Sequence, residues 1–346
     1  MRRPEWVCGL IIVSVMMGVA ETFAQGPPSE EGQEEGYLPV LKVGATRSDK
    51  KIIDVPVAMS RTGQREILNG NPQLTLDEGL TPIPGVFFQN QFNSAQDLRI
   101  SIRGFGARSS FGVRGVKILV DGISQTLADG QTQLDSIDPG VIQSIEILRG
   151  PSSSLYGNAS GGVVSINTQE GSELGVDSKL RLELGQFGLE KYQFKLRGIS
   201  GPINYRIYTS NLKWEGYRDH SATSSFLVDG KFSWETGSDS DWSFIISHFY
   251  SPRADDSGGL TEVQVESNPQ GASPRNILFD AGEMVKNTNF GLIYRTRLRE
   301  HHEFSLIVNL NRRFFNNKLP FTSGGSVEFE RLAPGLGVRS VINTKL

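Results

Sequence analysis

The sequence predicts a two-part fold, a compact α+β domain followed by antiparallel transmembrane β-strands, and three observations carry that expectation. Short β-rich runs recur between Gly-rich turns from about Arg99 to Thr168, segments of strict period two follow Gly171, and the connections between those segments alternate short and long. Alternation of apolar and polar residues marks a half-buried strand. A wall of such strands, with tight turns at one rim and longer loops at the other, is the pattern of an outer-membrane barrel.

The first residues set the compartment. Arg2 and Arg3 form a positive n-region, Trp6 to Ala20 an apolar core, and small residues precede Gln25. That order is a secretory signal peptide, with cleavage expected after Ala24 and Ala20 as the second choice. The apolar run, about 15 residues, is shorter than the roughly 20 that span a bilayer as a helix. Residues 25–37, rich in Gly, Pro, Glu and Gln, read as a flexible periplasmic tether. The expected domains are then 1–24 signal, 25–37 tether, 38–170 the α+β domain and 171–346 the barrel wall.

Composition narrows the function classes. Cys8, the only cysteine, lies in the export signal, so the mature chain has no disulfide, thiol nucleophile or cysteine-ligated metal. The mean hydropathy of -0.26 argues against a helical membrane bundle, whereas alternating barrel strands are compatible with it. With 35 basic and 38 acidic residues there is no basic footprint of the kind nucleic acid requires.

Inside the first domain, strands are expected at Leu98–Ile102, Val116–Val120, Ser144–Leu148 and Gly162–Asn167, and a short helix at Asn71–Leu80, entered at Pro72. In the wall, Leu180, Leu182 and Leu184 alternate with Lys179, Arg181 and Glu183, and Tyr192, Phe194 and Leu196 with Gln193, Lys195 and Arg197. Phe226, Val228, Phe232 and Trp234 oppose Leu227, Asp229, Lys231 and Ser233; later, Phe290, Leu292 and Tyr294 oppose Ile293, Arg295 and Arg297, and Phe304 to Leu310 repeats the pattern. Tight connections are expected at 200–202, 237–241 and 300–302, and longer ones at 215–223, 252–289 and 316–326. Trp214, Tyr217, Trp234, Trp242 and Tyr250 fall near the strand ends, where an interfacial girdle belongs.

An ordered set of motifs permits a family name: Ile102-Arg103-Gly104-Phe105-Gly106, Leu119-Val120-Asp121-Gly122-Ile123, Ile145 to Pro151, Leu155-Tyr156-Gly157-Asn158, and Ser160-Gly161-Gly162-Val163-Val164. Each fragment is weak alone, but in order and spacing the set resembles the plug of TonB-dependent outer-membrane receptors. The resemblance covers about Val40 to Thr168 and, more loosely, the barrel strands to the end. It implies an α+β plug domain followed by antiparallel transmembrane β-barrel strands in the bacterial outer membrane, with the plug accessible from the periplasm. The implied function is active import of a scarce ligand, such as a ferric siderophore, iron chelate or similar small cofactor. The implied partners are TonB, outer-membrane lipid and the small-molecule ligand. The complete barrel is expected to be monomeric, with no covalently bound cofactor and Fe(III) entering only as part of the transported ligand.

The resemblance also assigns residues. Leu41, Lys42, Val43, Gly44 and Ala45 look like the energy-coupling segment, the TonB box, which pairs as an added strand; the other reading is simply the first plug strand. Arg103, Gly104, Asp121, Gly122, Glu146, Arg149, Gly150, Tyr156, Gly157, Gly161 and Gly162 are the plug-motif and plug–barrel positions. Their charges suit hydrogen bonds to a polar lumen or ion pairs inside the plug. The family's apical loops match Phe105 to Arg114 and Ser124 to Gln133, where Arg108, Ser109, Ser110 and Arg114 suit a carboxylate-rich ligand. Receptors of this family close about 22 strands, and this chain supplies about eight, so it reads as a fragment or truncated product. The alternative function is a plug module that binds a ligand or partner without transport.

Enzyme readings fail on spacing. Gly104-Phe105-Gly106 lacks the rest of a dinucleotide fingerprint, 157–161 is not a nucleophile elbow, and His220, His248, His301 and His302 lack metal-site spacing.

Overall fold

A computed structural model describes residues 42–43, 50–51, 57–109, 112–171, 175–237, 239–299, 302–321 and 323–342. The expected signal peptide and tether lie outside these residues, as does His301. Two strands, β1 (Lys42–Val43) and β2 (Lys50–Lys51), form a small antiparallel pair.

The plug is built on one mixed sheet. Its strands are β3 (Ala58–Gly63), β7 (Val116–Val120), β8 (Ile123–Ser124), β10 (Ile142–Arg149) and β11 (Gly162–Thr168), in the order β3-β10-β11-β7-β8. Only β11 and β7 run parallel. The β-branched residues that favour these strands supply the core: Ile118, Ile145, Ile147, Val164 and Ile166 are sealed from solvent. Two smaller pairs flank the sheet, β4 (Val86–Gln89) with β5 (Arg99–Ile102), and β6 (Val113–Arg114) with β9 (Gln131–Thr132). The helices are short: α1 (Gln64–Leu68) follows β3 and α2 (Ser153–Tyr156) lies between β10 and β11.

The helix expected over Asn71–Leu80 is corrected to a single 3-10 turn, Leu76–Gly79. Glu78 reaches back to accept from the amides of Gln73 (2.6 Å), Leu74 (2.7 Å) and Thr75 (3.1 Å). Those bonds occupy the donors an earlier helix start would use, with Thr75 and Glu78 forming a capping box.

The wall is an eight-stranded antiparallel sheet in sequence order: β12 (Asp177–Gly185), β13 (Leu189–Ser200), β14 (Ile203–Trp214), β15 (Thr223–Glu235), β16 (Ser240–Asp255), β17 (Gly282–Arg299), β18 (His302–Leu319) and β19 (Gly325–Ile342). One rim has connections at 201–202, 236–239 and 300–301, and the other at 186–188, 215–222, 256–281 and 320–324. The last is shorter than expected because β18 continues to Leu319. The 256–281 loop carries α3 (Glu262–Ser267) and α4 (Pro274–Leu278). An 18-residue strand is on the order of 60 Å long. That exceeds the roughly 25 Å apolar band even with tilt, so the longest strands project beyond it.

The alternation sorts the two wall faces. Leu180, Leu182, Leu184, Tyr192 and Phe290 point away from the plug and are exposed, while Lys191, Gln193, Lys195, Asp229, Lys231 and Arg313 are buried against it. Trp234, Trp242 and Tyr294 share one register row near the tight-turn rim. Their rings lie 6.3 Å and 4.6 Å apart, forming an outward aromatic band.

Candidate functional site

The seam between plug and wall collects the buried charge of the molecule. A barrel-type wall turns its polar face inward, so whatever fills the lumen must offer acceptors and donors. Lys191 of β13 meets the Asp138 carboxylate at 2.9 Å and also donates to the Gln73 carbonyl. Lys195 donates to Gln169 Oε1 (2.6 Å) and the Gly140 carbonyl (3.1 Å). Lys231 of β15 sits 3.2 Å from both Asp121 and Glu170. Arg313 of β18, 2 % exposed, bonds Asp135 through two nitrogens at 3.1 and 2.7 Å. Buried ions survive only with such partners.

Asp138 is the most heavily bonded of these groups. It also accepts from Tyr208 Oη (2.9 Å), Ser210 Oγ (2.8 Å) and the Gly140 amide (2.8 Å). Burial alone would raise its carboxyl, but Lys191 and these donors hold it below the usual carboxylate range. Asp121 behaves the same way: burial opposes ionisation, and Lys231 with the Thr168 hydroxyl and amide overcomes it. Asp97 differs, since burial and the neighbouring Asp135 charge push it up to about 7 despite Arg313.

Apolar pegs complete the fit. The Ile123 side chain fills the space above Gly291 of β17, where an added Cβ would stand 2.3 Å from Ile123 Cδ1, and Ile245 and Ile293 pack around it. A glycine inside a strand is the usual mark of such close approach. A cavity of about 410 Å³ lies between plug residues 123–138 and strands β15–β19, lined in part by Asn287, Asn289, Asn311 and Arg331.

At the long-loop rim the β4–β5 hairpin tip reaches the 256–281 loop. Asn93 and Gln96 donate to Asp256 at 3.0 and 3.1 Å. Asp97, Asp135, Asp138, Asp256, Lys191 and Arg313 were not singled out as site residues from the sequence. For Lys191 and Arg313 the available signal was charge on the polar face of an alternating strand; the four aspartates lie between strands, where no local pattern marks them.

The residues assigned by resemblance fall in several places. Asp121, in the β7–β8 turn with Gly122, faces Lys231 of the wall. Glu146 lies 3.9 Å from Arg61, and Arg149 donates to the Pro84 carbonyl, both within the plug. Arg103, with φ of 50°, and Gly104 form the exposed turn after β5. Gly150, Gly161 and Gly162 bring the ends of β10 and β11 together, and a Cβ on Gly162 would meet the Leu148 carbonyl at 2.1 Å. Tyr156 packs with Leu119, Leu148 and Val163, and Gly157 follows α2. Arg108 is exposed, Ser109 is buried with its carbonyl accepting from Arg99, and Ser110 lies outside the described residues. Arg114 is exposed on β6 and donates to the Asp129 carbonyl and Gln131 Oε1. Of the coupling candidates, Lys42 and Val43 form β1; Leu41, Gly44 and Ala45 lie outside the described residues. Among the described residues no group of three His, Cys, Asp or Glu is placed to hold a metal ion.

Comparison with known proteins agrees with this architecture. Residues 51–163 match the family model "TonB-dependent Receptor Plug Domain". The chain is 27% identical over 288 residues to the metal-pseudopaline receptor CntO of Pseudomonas aeruginosa, covering 81% of this chain and 35% of that receptor. It is 32% identical over 142 residues to a hemin receptor of Yersinia enterocolitica, covering 37% and 20% respectively. The chain thus spans about a third or less of the length of these relatives. In fold it resembles the unliganded ferric citrate transporter FecA, with a TM-score of 0.71, 18% identity and coverage of 84% of this chain and 45% of that one. The ferric yersiniabactin uptake receptor FyuA of Yersinia pestis gives 0.68 at 18% identity, covering 84% and 46%. These relatives are receptors and a transporter. Residues 51–163 thus form a TonB-dependent receptor plug domain, and its sheet is seated on eight antiparallel wall strands whose fold resembles that of outer-membrane receptors.

Proposed function

We propose that the chain serves TonB-dependent import of a small ligand, an iron chelate, siderophore or similar cofactor, across the bacterial outer membrane. The observation that carries this reading is the seam itself, a plug held in a barrel-type wall by buried ion pairs and hydrogen bonds. When such a pair parts and both partners regain water, their hydration offsets much of the lost attraction, so a pull on the plug can release them. Relatives that are receptors for metal-pseudopaline, hemin and ferrioxamine support metal chelates as the first candidates. The test is growth of a receptor-deleted strain on a panel of ferric chelates and hemin, with and without the gene for this protein; no ligand-dependent growth on any of them overturns the proposal.

Coupling is assigned to Leu41, Lys42, Val43, Gly44 and Ala45. The β1–β2 pairing of Lys42 with Lys51 and Val43 with Lys50 involves two residue pairs, a small barrier to exchange for a strand of TonB. Val43→Pro removes a backbone donor and is expected to abolish uptake while ligand binding persists. Normal uptake by the variant would move the coupling segment elsewhere.

Ligand capture is assigned to Arg108, Ser109, Ser110 and Arg114. Arg108 is the cleaner probe, because Arg114 also ties β6 to the Asp129–Gln131 segment. For an anionic ligand, Arg108→Ala is expected to weaken binding about tenfold, and less so at high salt. Unchanged affinity by calorimetry sinks the anion-clamp assignment and leaves import untouched.

A further inference from the structure

Three wall ammonium groups are each received by plug acceptors: Lys191 by Asp138 and the Gln73 carbonyl, Lys195 by Gln169 and the Gly140 carbonyl, and Lys231 by Asp121 and Glu170. A fourth set of acceptors, nearer the long-loop rim, receives none of them. Glu283 of β17 is only 9 % exposed, and its carboxylate accepts no hydrogen bond from another described residue. It lines a pocket of about 120 Å³ together with Asp97, Gln91 and Ser251. Asp97 Oδ1 is enclosed and makes no hydrogen bond.

The charge around this pocket is one-sided. Glu283 feels Asp97, Asp135 and Asp256 against the single cation Arg313. Both hydrogen bonds of that guanidinium go to Asp135, and its Nε is enclosed without a partner. Buried acceptors in excess of donors are costly unless a cation or proton joins them. We propose that this pocket is a receiving site for a primary ammonium group, carried by a small molecule that enters from the long-loop rim.

Size and donor count fit that class. The volume equals roughly four waters at about 30 Å³ each, enough for an ammonium and a short alkyl stem. An ammonium offers three donors, matching Glu283, Asp97 and one neutral oxygen such as Ser251 Oγ. A bare metal ion fits less well, since no three carboxylates here are grouped to ligate one. Protons compete for the same oxygens. Burial and the neighbouring Asp135 charge push Asp97 up to about 7, so the ammonium binds more tightly as pH rises and protons displace it as pH falls. The groups setting this dependence are Asp97, Asp135 and Asp256 from the plug and outer loop, with Glu283 and Arg313 from the wall. The site stands apart from the arginine loop assigned to ligand capture and does not depend on import.

The experiment is saturation-transfer NMR on the full chain folded in detergent, with propylammonium as the probe and propanol as its neutral counterpart. Transfer to propylammonium but not propanol is expected at pH 8, with loss at pH 5.5. Glu283→Gln is expected to weaken binding at least about tenfold. Asp97→Asn, near the base of the β4–β5 hairpin, provides a second variant expected to act in the same direction should the wall substitution fail to fold. Equal transfer to propanol, or a signal unchanged in the variants that fold, overturns the site. Displacement of the amine by calcium at lower concentration than the amine itself overturns the ammonium assignment.

Discussion

In the plug sheet, Ile145, Ile147, Val164 and Ile166 are sealed from solvent by one another, whereas in the wall the sealed side chains include Arg206, Arg313 and Lys191. The plug turns its β-branched residues inward and holds itself together by apolar burial. The wall turns its apolar residues outward toward lipid, and its inner face is stabilised by ion pairs with whatever the lumen contains. Two kinds of adhesion therefore meet at one surface. The plug is cohesive within itself and attached to the wall by ion pairs that respond to charge, pH and water, alongside apolar contacts such as Ile123 with Ile245 and Ile293.

The contrast is sharpest at Asp138. Replacing it with alanine leaves Lys191, Tyr208 and Ser210 without their shared acceptor, and removing one partner of a buried pair costs about 3–5 kcal/mol. Hydrogen exchange is expected to show the plug–wall seam opening while β10 and β11 stay protected. Loss of protection in the plug core instead would mean that seam and core are one cooperative unit.

Acidity separates the carboxylates by sign. Asp138 and Asp121 have depressed folded values, so the stability they contribute is present above the ordinary carboxylate range and lost as pH falls through the folded value. Asp97 is raised to about 7, so its contribution is greatest below the ordinary carboxylate value near 4 and is lost as pH rises through 7. Between pH 8 and 6, the protection of residues 86–102, taken relative to the base-catalysed intrinsic rate, is expected to rise while that of residues 138–141 does not change. Equal response of both segments breaks the distinction.

Smaller changes probe each kind of adhesion alone. Ile147→Val, in the plug core, is expected to cost about 0.5–1.5 kcal/mol in denaturant unfolding of the plug and leave the seam intact. Arg312→Ala, at the exposed Arg312–Glu330 pair on the outer face of the wall, is expected to cost no more than about 1 kcal/mol. A larger loss there would show that the outward charges matter as much as the inward ones.

Much of this architecture is legible in the sequence, for a reason that also sets its limit. Period two in a strand fixes which residues share a face, so Lys191, Lys195 and Lys231 could be placed on the polar side and Tyr192, Phe194 and Phe232 on the apolar side. Periodicity does not say what a face meets. Asp138 and Lys191 are far apart in sequence, and nothing local joins them. The same holds for Arg313 and Asp135, and for Asn93 and Asp256. Gly291 did carry a local signal, an isolated glycine in an alternating strand, and it marks where Ile123 enters. At Leu76–Gly79 the structure departs from the expected helix: Pro72 and the leucines resemble a helix start, whereas the Glu78 carboxylate accepts from three preceding amides. For Leu41, Gly44, Ala45 and Ser110 the sequence remains the source of the assignment.

The parallel pairing of β7 with β11 sets an order of assembly. Val116 lies opposite Gly162, so that pair closes only after the chain between them has been gathered in. Every wall pair, by contrast, joins strands adjacent in sequence, and a hairpin of this kind zips on the order of microseconds in water. Non-local pairs pay loop-closure entropy before they are rewarded. The plug sheet is therefore the slow step of its own half of the molecule, and until that closure the unpaired edge of β11 stays open to pairing with other strands.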